Sequence, residues 1–542
     1  MTEFKGVAGI AMMNLKKILL IVFGVSLLPV TNVWAQKSTK IEIRNAGFFR
    51  SDKTIRQGAR RLIGNVMFWQ DSTIMKCDSA YFMGENNWFE AYGHVHLYKE
   101  GDSKINVHSD FLRYNGNSKM AYFRKNVVLR DTQVVLYTDS LDYDTRRDIG
   151  YYEHNGQVVD SATTLTSQKG YYYHHKNEVY FRKNVVVNHN QGEYQMYTDT
   201  LKYNTKTEIT YFLGPTEFYN DSNYMYARFG WYNTTINQAM FQKDAFFDNR
   251  KQTIKADSLY YDREKEHGIG FSNVVATDTA QKLIVKGNYL EVFKDSDTFF
   301  VTDSALLIHI MEGDTVYLHA DTLYAMYDTT HTYRIFKAFH HTKIFKSNFQ
   351  AKTDSLYFSM ADSIIRFYGS PILWAEQNQI TASYIEGYVV NEKLDRFKLF
   401  DGGLIVSMED TLHFNQIKGS EMIGYLKANR LWKVDVFKKS ETIYFPVDEF
   451  GIIGVNKSKS TNITLLLKNN KISRIIYRSQ YEGAMHPLKE LAPNDMKVKE
   501  FQWFHSWRPK APLDVFIWEG STQPAQRPKP FFTPAAPANL EE

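Results

Sequence analysis

Hydrophobic and polar residues alternate with period two along most of this chain. That period marks strands with one buried face, because successive side chains leave a strand on opposite sides. The clearest strands share a phrase: a small or β-branched residue, Asp, Ser or Thr, an apolar residue, any residue, then an aromatic. It reads Cys77-Asp-Ser-Ala-Tyr-Phe82, Thr138-Asp-Ser-Leu-Asp-Tyr143, Thr198-Asp-Thr-Leu-Lys-Tyr203, Ala256-Asp-Ser-Leu-Tyr-Tyr261 and Thr353-Asp-Ser-Leu-Tyr-Phe358. Steps from Asp78 to Asp139, Asp199 and Asp257 are 61, 60 and 58 residues, with weaker copies halfway, as at Ser109-Asp-Phe-Leu-Arg-Tyr114. A second phrase sits between them, in Ala121-Tyr-Phe-Arg-Lys-Asn-Val-Val-Leu129 and Val179-Tyr-Phe-Arg-Lys-Asn-Val-Val-Val187.

The repetition runs from about Gly64 to Tyr388, in units of about thirty residues. Each unit reads as several short strands joined by polar turns such as Asn115-Gly116 and Asn155-Gly156. Within a strand, residues i and i+2 share a face. Leu141 with Tyr143, Leu201 with Tyr203, Leu259 with Tyr261, and Leu356 with Phe358 therefore form one apolar stripe. Asp142, Lys202 and Tyr260 fall on the opposite, outer face, expected to be polar. Stacked units of this kind predict an all-β fold, an elongated, repetitive antiparallel stack of solenoid type. The Asp-Ser/Thr pairs fit turns or strand starts, where short polar side chains bond nearby backbone.

Regularity fades after residue 388. Residues 389–505 still alternate, with a hairpin expected around Asn469-Asn470 and a short helix at Leu488–Ala492. Seven of the 13 prolines fall in residues 508–542, which predicts an extended or disordered tail. The organisation is thus a leader at 1–35, repeats over 36–190 and 191–390, a less regular β-rich region at 391–507, and the tail at 508–542.

Composition agrees with strands: 15% of residues are aromatic, mostly 36 Tyr and 37 Phe, which suit a pleated surface. The leader has Lys16 and Lys17, an apolar run from Ile18 to Val30, and Ala35 as a cleavage point, the pattern of a secretory signal peptide. A single spanning helix needs about 20 apolar residues, and this run is short and broken by Pro29. Export implies the envelope, yet Cys77 is the only cysteine, so sheet and core must hold the fold without an internal disulfide. With 65 basic and 60 acidic residues, nothing points to nucleic acid.

No nucleophile elbow, phosphate loop, zinc-protease helix or Cys-x-x-Cys motif is present. His94 and His96 share a strand face, but a third metal ligand does not stand out. The pairs His174-His175 and His340-His341 point to opposite strand faces. The regular aspartates occupy equivalent positions, whereas an acid–base pair needs two environments. No catalytic residue, metal site or cofactor is expected, and the chain reads as a binding protein rather than an enzyme. The Asp-Ser/Thr-apolar triplets, among them Asp160-Ser-Ala162 and Asp410-Thr-Leu412, also resemble an O-glycosylation signal of Gram-negative envelope proteins. That allows a structural or adhesive β-solenoid as the alternative.

The leader, the Asp-Ser/Thr-Leu-x-Tyr repeat, the Lys-Asn-Val-Val strands and Gly64-Asn-Val-Met-Phe68 together resemble the OstA-like family over roughly residues 37–390. That family is related to the periplasmic lipopolysaccharide-transport protein LptA and to the N-terminal domain of LptD. The resemblance implies a β-jellyroll, open and V-shaped, whose interior takes lipid A acyl chains. It also implies edge-strand pairing with other jellyrolls, including an LptD-like outer-membrane protein, or end to end with itself. The stripe residues Leu141, Tyr143, Leu201, Tyr203, Leu259, Tyr261, Leu356 and Phe358 are then candidates either to line such a groove or to fill a closed core. The expected location is the periplasm, with association at the outer membrane as a further expectation.

Overall fold

The structure is a computed structural model, and it describes residues 39–519 apart from the short stretches 52–57, 131–133, 190–193, 392, 428–429 and 469–470. The expected signal peptide lies outside the described residues. Nearly everything described is strand, joined in one antiparallel sheet of 40 segments. This is an all-β jellyroll, stacked along the chain.

The sheet is bent into two limbs. The strand Glu178–His189 shows how. Its first half pairs with Lys169–Tyr173, while its second half pairs with a separate segment, Thr163–Ser167. Between the halves the register skips from Arg182 to Val185. The residues skipped are Lys183 and Asn184, both left-handed at φ 64° and 51°. The same bulge occurs at Lys125-Asn126, Lys243-Asp244 and Ser272-Asn273. The Lys-Asn of the second phrase is therefore a corner that turns each strand from one limb into the other.

This corner also explains the first phrase. Asp110 accepts a 2.7 Å hydrogen bond from Asn126, Asp257 one of 3.0 Å from Asn273, and Asp78 bonds His94 at 2.7 Å. These aspartates sit inside continuous strands such as Thr73–Met83, not at turns or strand starts as expected. They receive the side chain that the neighbouring bulge pushes outward. Some units keep the bent strand whole and others divide it at the corner into the short strands expected, so Asn155 marks a bend between Ile149–Tyr152 and Gly156–Val159 rather than a hairpin. Replacing Asn126 by Val puts a β-branched residue at φ 48° and removes the Asp110 bond. Urea unfolding should show a loss of about 1–2 kcal/mol.

The Leu-x-aromatic positions face inward and line up in register across the sheet. One row runs Phe181, Leu201, Phe212, Gly230, Phe241, Leu259. Beside it Tyr203, Tyr232 and Tyr261 alternate with Thr210, Ala239 and Gly268. The second limb supplies Met196, Phe218, Met225, Phe247 and Ile254 as the facing row.

The outer face departs from expectation. Lys202 is outward and paired with Glu178 at 2.7 Å, as a polar face requires. Farther along, Trp231, Tyr260, Ile269 and Tyr289 pack together and are buried, so Tyr260 belongs to an aromatic cluster. Large rings on adjacent strands shield one another without a covering layer.

The C-terminal region holds the largest surprise. Val455–Lys468 and Lys471–Arg478 form the expected hairpin, and a short 3-10 turn occupies Leu488–Glu490. From there residues 491–519 run back across the outer face of the second limb as a strap. Gln416 accepts from the Val498 backbone, Gln379 from Phe504, and Gln350 from the Arg508 guanidinium. Of the tail expected to be extended or disordered over 508–542, residues 508–519 are described, and they pack against this face. Pro512 opens a short 3-10 turn, Pro512–Phe516, and side chains anchor the strap.

Candidate functional site

Between the limbs, from Leu129 to Met360, lies a cavity of about 1690 Å³. Its depth is apolar. Leu201, Phe212, Phe241 and Leu259 come from the first limb and Met196, Phe218, Phe247 and Ile254 from the second. Phe218 meets Phe212 and Phe241 edge-on, at centroid distances of 5.2 and 5.4 Å, and so joins the limbs at the corner. The rims are polar: Thr205, Asn237, Arg263 and Lys294 on one side, Asp160, Asn220, Asn249 and Asp278 on the other.

Electrostatics follow that division. Burial, helped by Glu208 and Asp160, raises the Tyr203 phenol above its ordinary value. Burial also opposes ionisation of Asp278, yet hydrogen bonds from Gln252 and from the Gln281 and Ala280 backbone hold its carboxyl below the ordinary range. Lys294 pairs with Glu266 at 3.1 Å. The interior is apolar and the rims are charged.

The sequence candidates divide. Leu141, Leu201, Tyr203, Leu259, Tyr261 and Phe358 line the cavity. Tyr143 and Leu356 do not. Tyr143 is fully buried and donates a 3.0 Å hydrogen bond to Asp148, which also takes an ion pair from Lys99. Leu356 is a buried core residue between Ala338 and Phe367. The stripe is one row with two fates, and the fate depends on what the facing limb presents.

Before the cavity the interior is filled. Phe68 stacks on Phe89 at 3.9 Å, and the Tyr114 hydroxyl donates to Gln70 across the limb tips at 2.7 Å. After it, Leu399, Val434, Val436 and Leu465 are fully buried. Closed cores therefore flank an open stretch. Cys77 lies in the first of them, where burial pushes its thiol up to about 12, leaving it inert.

The histidines take structural posts. His94 and His341 bond Asp78 and Asp321 at the corner, and His96 stacks on His108 at 4.2 Å. His340 and His341 are left-handed corner residues, and His174-His175 form a 3-10 turn, so neither pair lies in a regular strand as expected. Among the described residues no cluster suited to a metal occurs. Of the Asp-Ser/Thr-apolar triplets, Asp160-Ser161-Ala162 and Asp410-Thr411-Leu412 form turns closed by the aspartate, whereas Asp78-Ser79-Ala80 and Asp257-Ser258-Leu259 lie within strands.

A family model described as OstA-like protein matches residues 38–197 and 187–257. Residues 38–257 are thus similar to the OstA-like family. The matched stretch covers the first closed core and the first part of the cavity. Among solved structures, LptH of Pseudomonas aeruginosa, titled the LptA-homologous periplasmic component of the lipopolysaccharide transport device, aligns at 14% identity. The alignment covers 20% of this chain and 80% of that one, with a TM-score of 0.19. No curated protein matches the chain.

Proposed function

We propose that this chain is a periplasmic lipopolysaccharide-binding and transport protein that shields acyl chains in its groove and bridges envelope components during outer-membrane assembly. The observation that carries this reading is the cavity: apolar side chains from both limbs, polar rims, and a length spanning many strands. Such a trough desolvates alkyl chains, which is favourable by about 0.8 kcal/mol per methylene. The polar rims leave a charged headgroup in water. The OstA-like match supports the same reading.

Bridging would use the sheet ends. At one end lie the short strands Glu42–Asn45 and Phe48–Ser51, with Phe48 and Phe49 exposed. At the other lie Lys471–Arg478 and Glu482–His486, each paired with Val455–Lys468. An end strand is a template for another sheet. An LptD-like jellyroll or a second copy of this chain would add there.

Photoreactive residues at Leu201, Tyr203 and Leu259 should label lipopolysaccharide, while one at outward Lys202 should not. Silence at all four positions in a folded protein would remove the transport reading and leave a structural envelope scaffold.

A further inference from the structure

Inward glycines in this sheet follow a rule. Each lies beneath a neighbour's side chain, so that a Cβ would collide with it. At Gly150 the blocking group is Tyr143, at 3.1 Å, and at Gly170 it is Tyr152, at 2.3 Å. Phe212 lies 2.2 Å from the Gly230 position, and Phe397 2.2 Å from that of Gly424. Glycine is used because a ring lies flat on the backbone.

Gly268 breaks the rule. It faces inward between Tyr261 and Val292, yet a Cβ there would meet only Tyr261 Cδ2 at 3.9 Å and the Tyr260 carbonyl at 4.0 Å. Its strand is also the smallest-lined in the groove. Gly270 occupies the row held by Phe241, Phe212 and Phe181 two, four and six pairings away. On the second limb the same strand presents Ala276, where its neighbour but one presents Phe247. The result is a slot one strand wide, floored by Gly268, walled by Tyr261 and Val292, faced by Ala276, and closed toward the corner by Val274 and Leu290, whose side chains lie 3.3 and 3.4 Å from the Cβ position of Gly270. The walls stand on backbones about 9.6 Å apart, twice the strand spacing.

We infer that this slot seats a single alkyl chain of the bound amphiphile, in the place that a neighbour's ring takes over the other inward glycines. The inference rests on the groove being a lipid site and goes beyond it by fixing where one chain lies. The floor and the Val292 wall offer no partner to a polar group, and the Tyr261 hydroxyl is the one polar atom of the two walls. The neighbouring rim residues Arg263, Glu266 and Lys294 stay with the headgroup.

The test places a photoreactive residue at Val292 or at Tyr203 in the full chain. One arm uses lipopolysaccharide and a parallel arm uses phosphatidylglycerol vesicles, so that the two sources of acyl chain are separated. Both positions should label. Gly268→Phe should lower labelling at Val292 by about tenfold, the loss expected when room for a few methylenes is filled. It should leave Tyr203 labelling essentially unchanged. Gly268→Ala should label normally, since its methyl has space. Ala276→Leu fills the slot from the other limb and replaces Gly268→Phe should that variant unfold. Undiminished labelling at Val292 in either folded filling variant, or labelling at Tyr203 without labelling at Val292, overturns the slot alone. Silence at both positions overturns the groove reading with it.

Discussion

Phe89→Ala should cost about 3–5 kcal/mol of local stability, the largest loss expected from a single core truncation here. The ring is fully buried, stacks on Phe68 at 3.9 Å and tilts against Tyr114 at 5.6 Å. The Phe68 contact joins the two limbs and Tyr114 is the cross-strand neighbour on the same limb, so the void has walls on both sides and cannot collapse easily. In a stacked fold, units open semi-independently. Hydrogen exchange over residues 60–143 is therefore the measurement to make, and protection should fall there first. Tyr203→Ala makes the comparison. Its ring is partly buried and faces the open cavity, so its removal should cost only about 1 kcal/mol. Equal costs at the two positions would mean that the cavity is as tightly packed as the closed core.

Glu519→Ala should release the C-terminal strap. Lys343 is fully buried, and its ammonium donates to Glu519 at 2.8 Å and to the Ile517 carbonyl, while Lys352 lies 4.0 Å over the Trp507 ring. Burial holds Lys343 below the ordinary lysine value, and Glu519 works against that shift. Removing the carboxylate leaves a dry, unpaired cation, which costs about 3–5 kcal/mol when no relaxation is open. Here relaxation is open, because the strap can lift and let water in. Limited proteolysis should then cut within residues 505–517, and a strap that stays protected would show that Trp507 and Trp518 suffice to hold it.

Acid should act in the same direction. His319 sits under Phe516 at 4.4 Å and donates from Nδ1 to the Ala305 carbonyl at 2.7 Å. Burial lowers its pKa below the ordinary 6.5; Ala305 and Asp321 oppose that shift, and His341 and Lys343 add to it. The released form therefore takes the proton first. Docking is complete above the ordinary histidine value and weakens as pH falls through it, so protection of the strap should decline between about pH 7.5 and about pH 5.

Sequence periodicity was a sound guide wherever an interaction is local or repeated. Leu201, Tyr203 and Leu259 could be placed on one face because side chains alternate along any strand. Lys202 could be placed on the other for the same reason. The corners were visible as Lys-Asn and Asp-Ser phrases, but their meaning was not. A left-handed pair inside a strand and an aspartate that answers it one strand away look, in one dimension, like two separate turns. The strap was invisible, since Lys343 and Glu519 are 176 residues apart and neither stands in a motif.

By itself, then, the sequence determined the all-β class, the repeat, the inward stripe and the OstA-like resemblance, because period-two burial needs only the geometry of a single strand. Only the tertiary structure decided which parts of the stripe are open. Tyr143 and Tyr203 occupy equivalent places in the repeat, yet one is sealed by Asp148 and Lys99 while the other lines a cavity. The difference lies in the side chains at the tips and depth of the opposing limb, and closure is a property of two surfaces meeting.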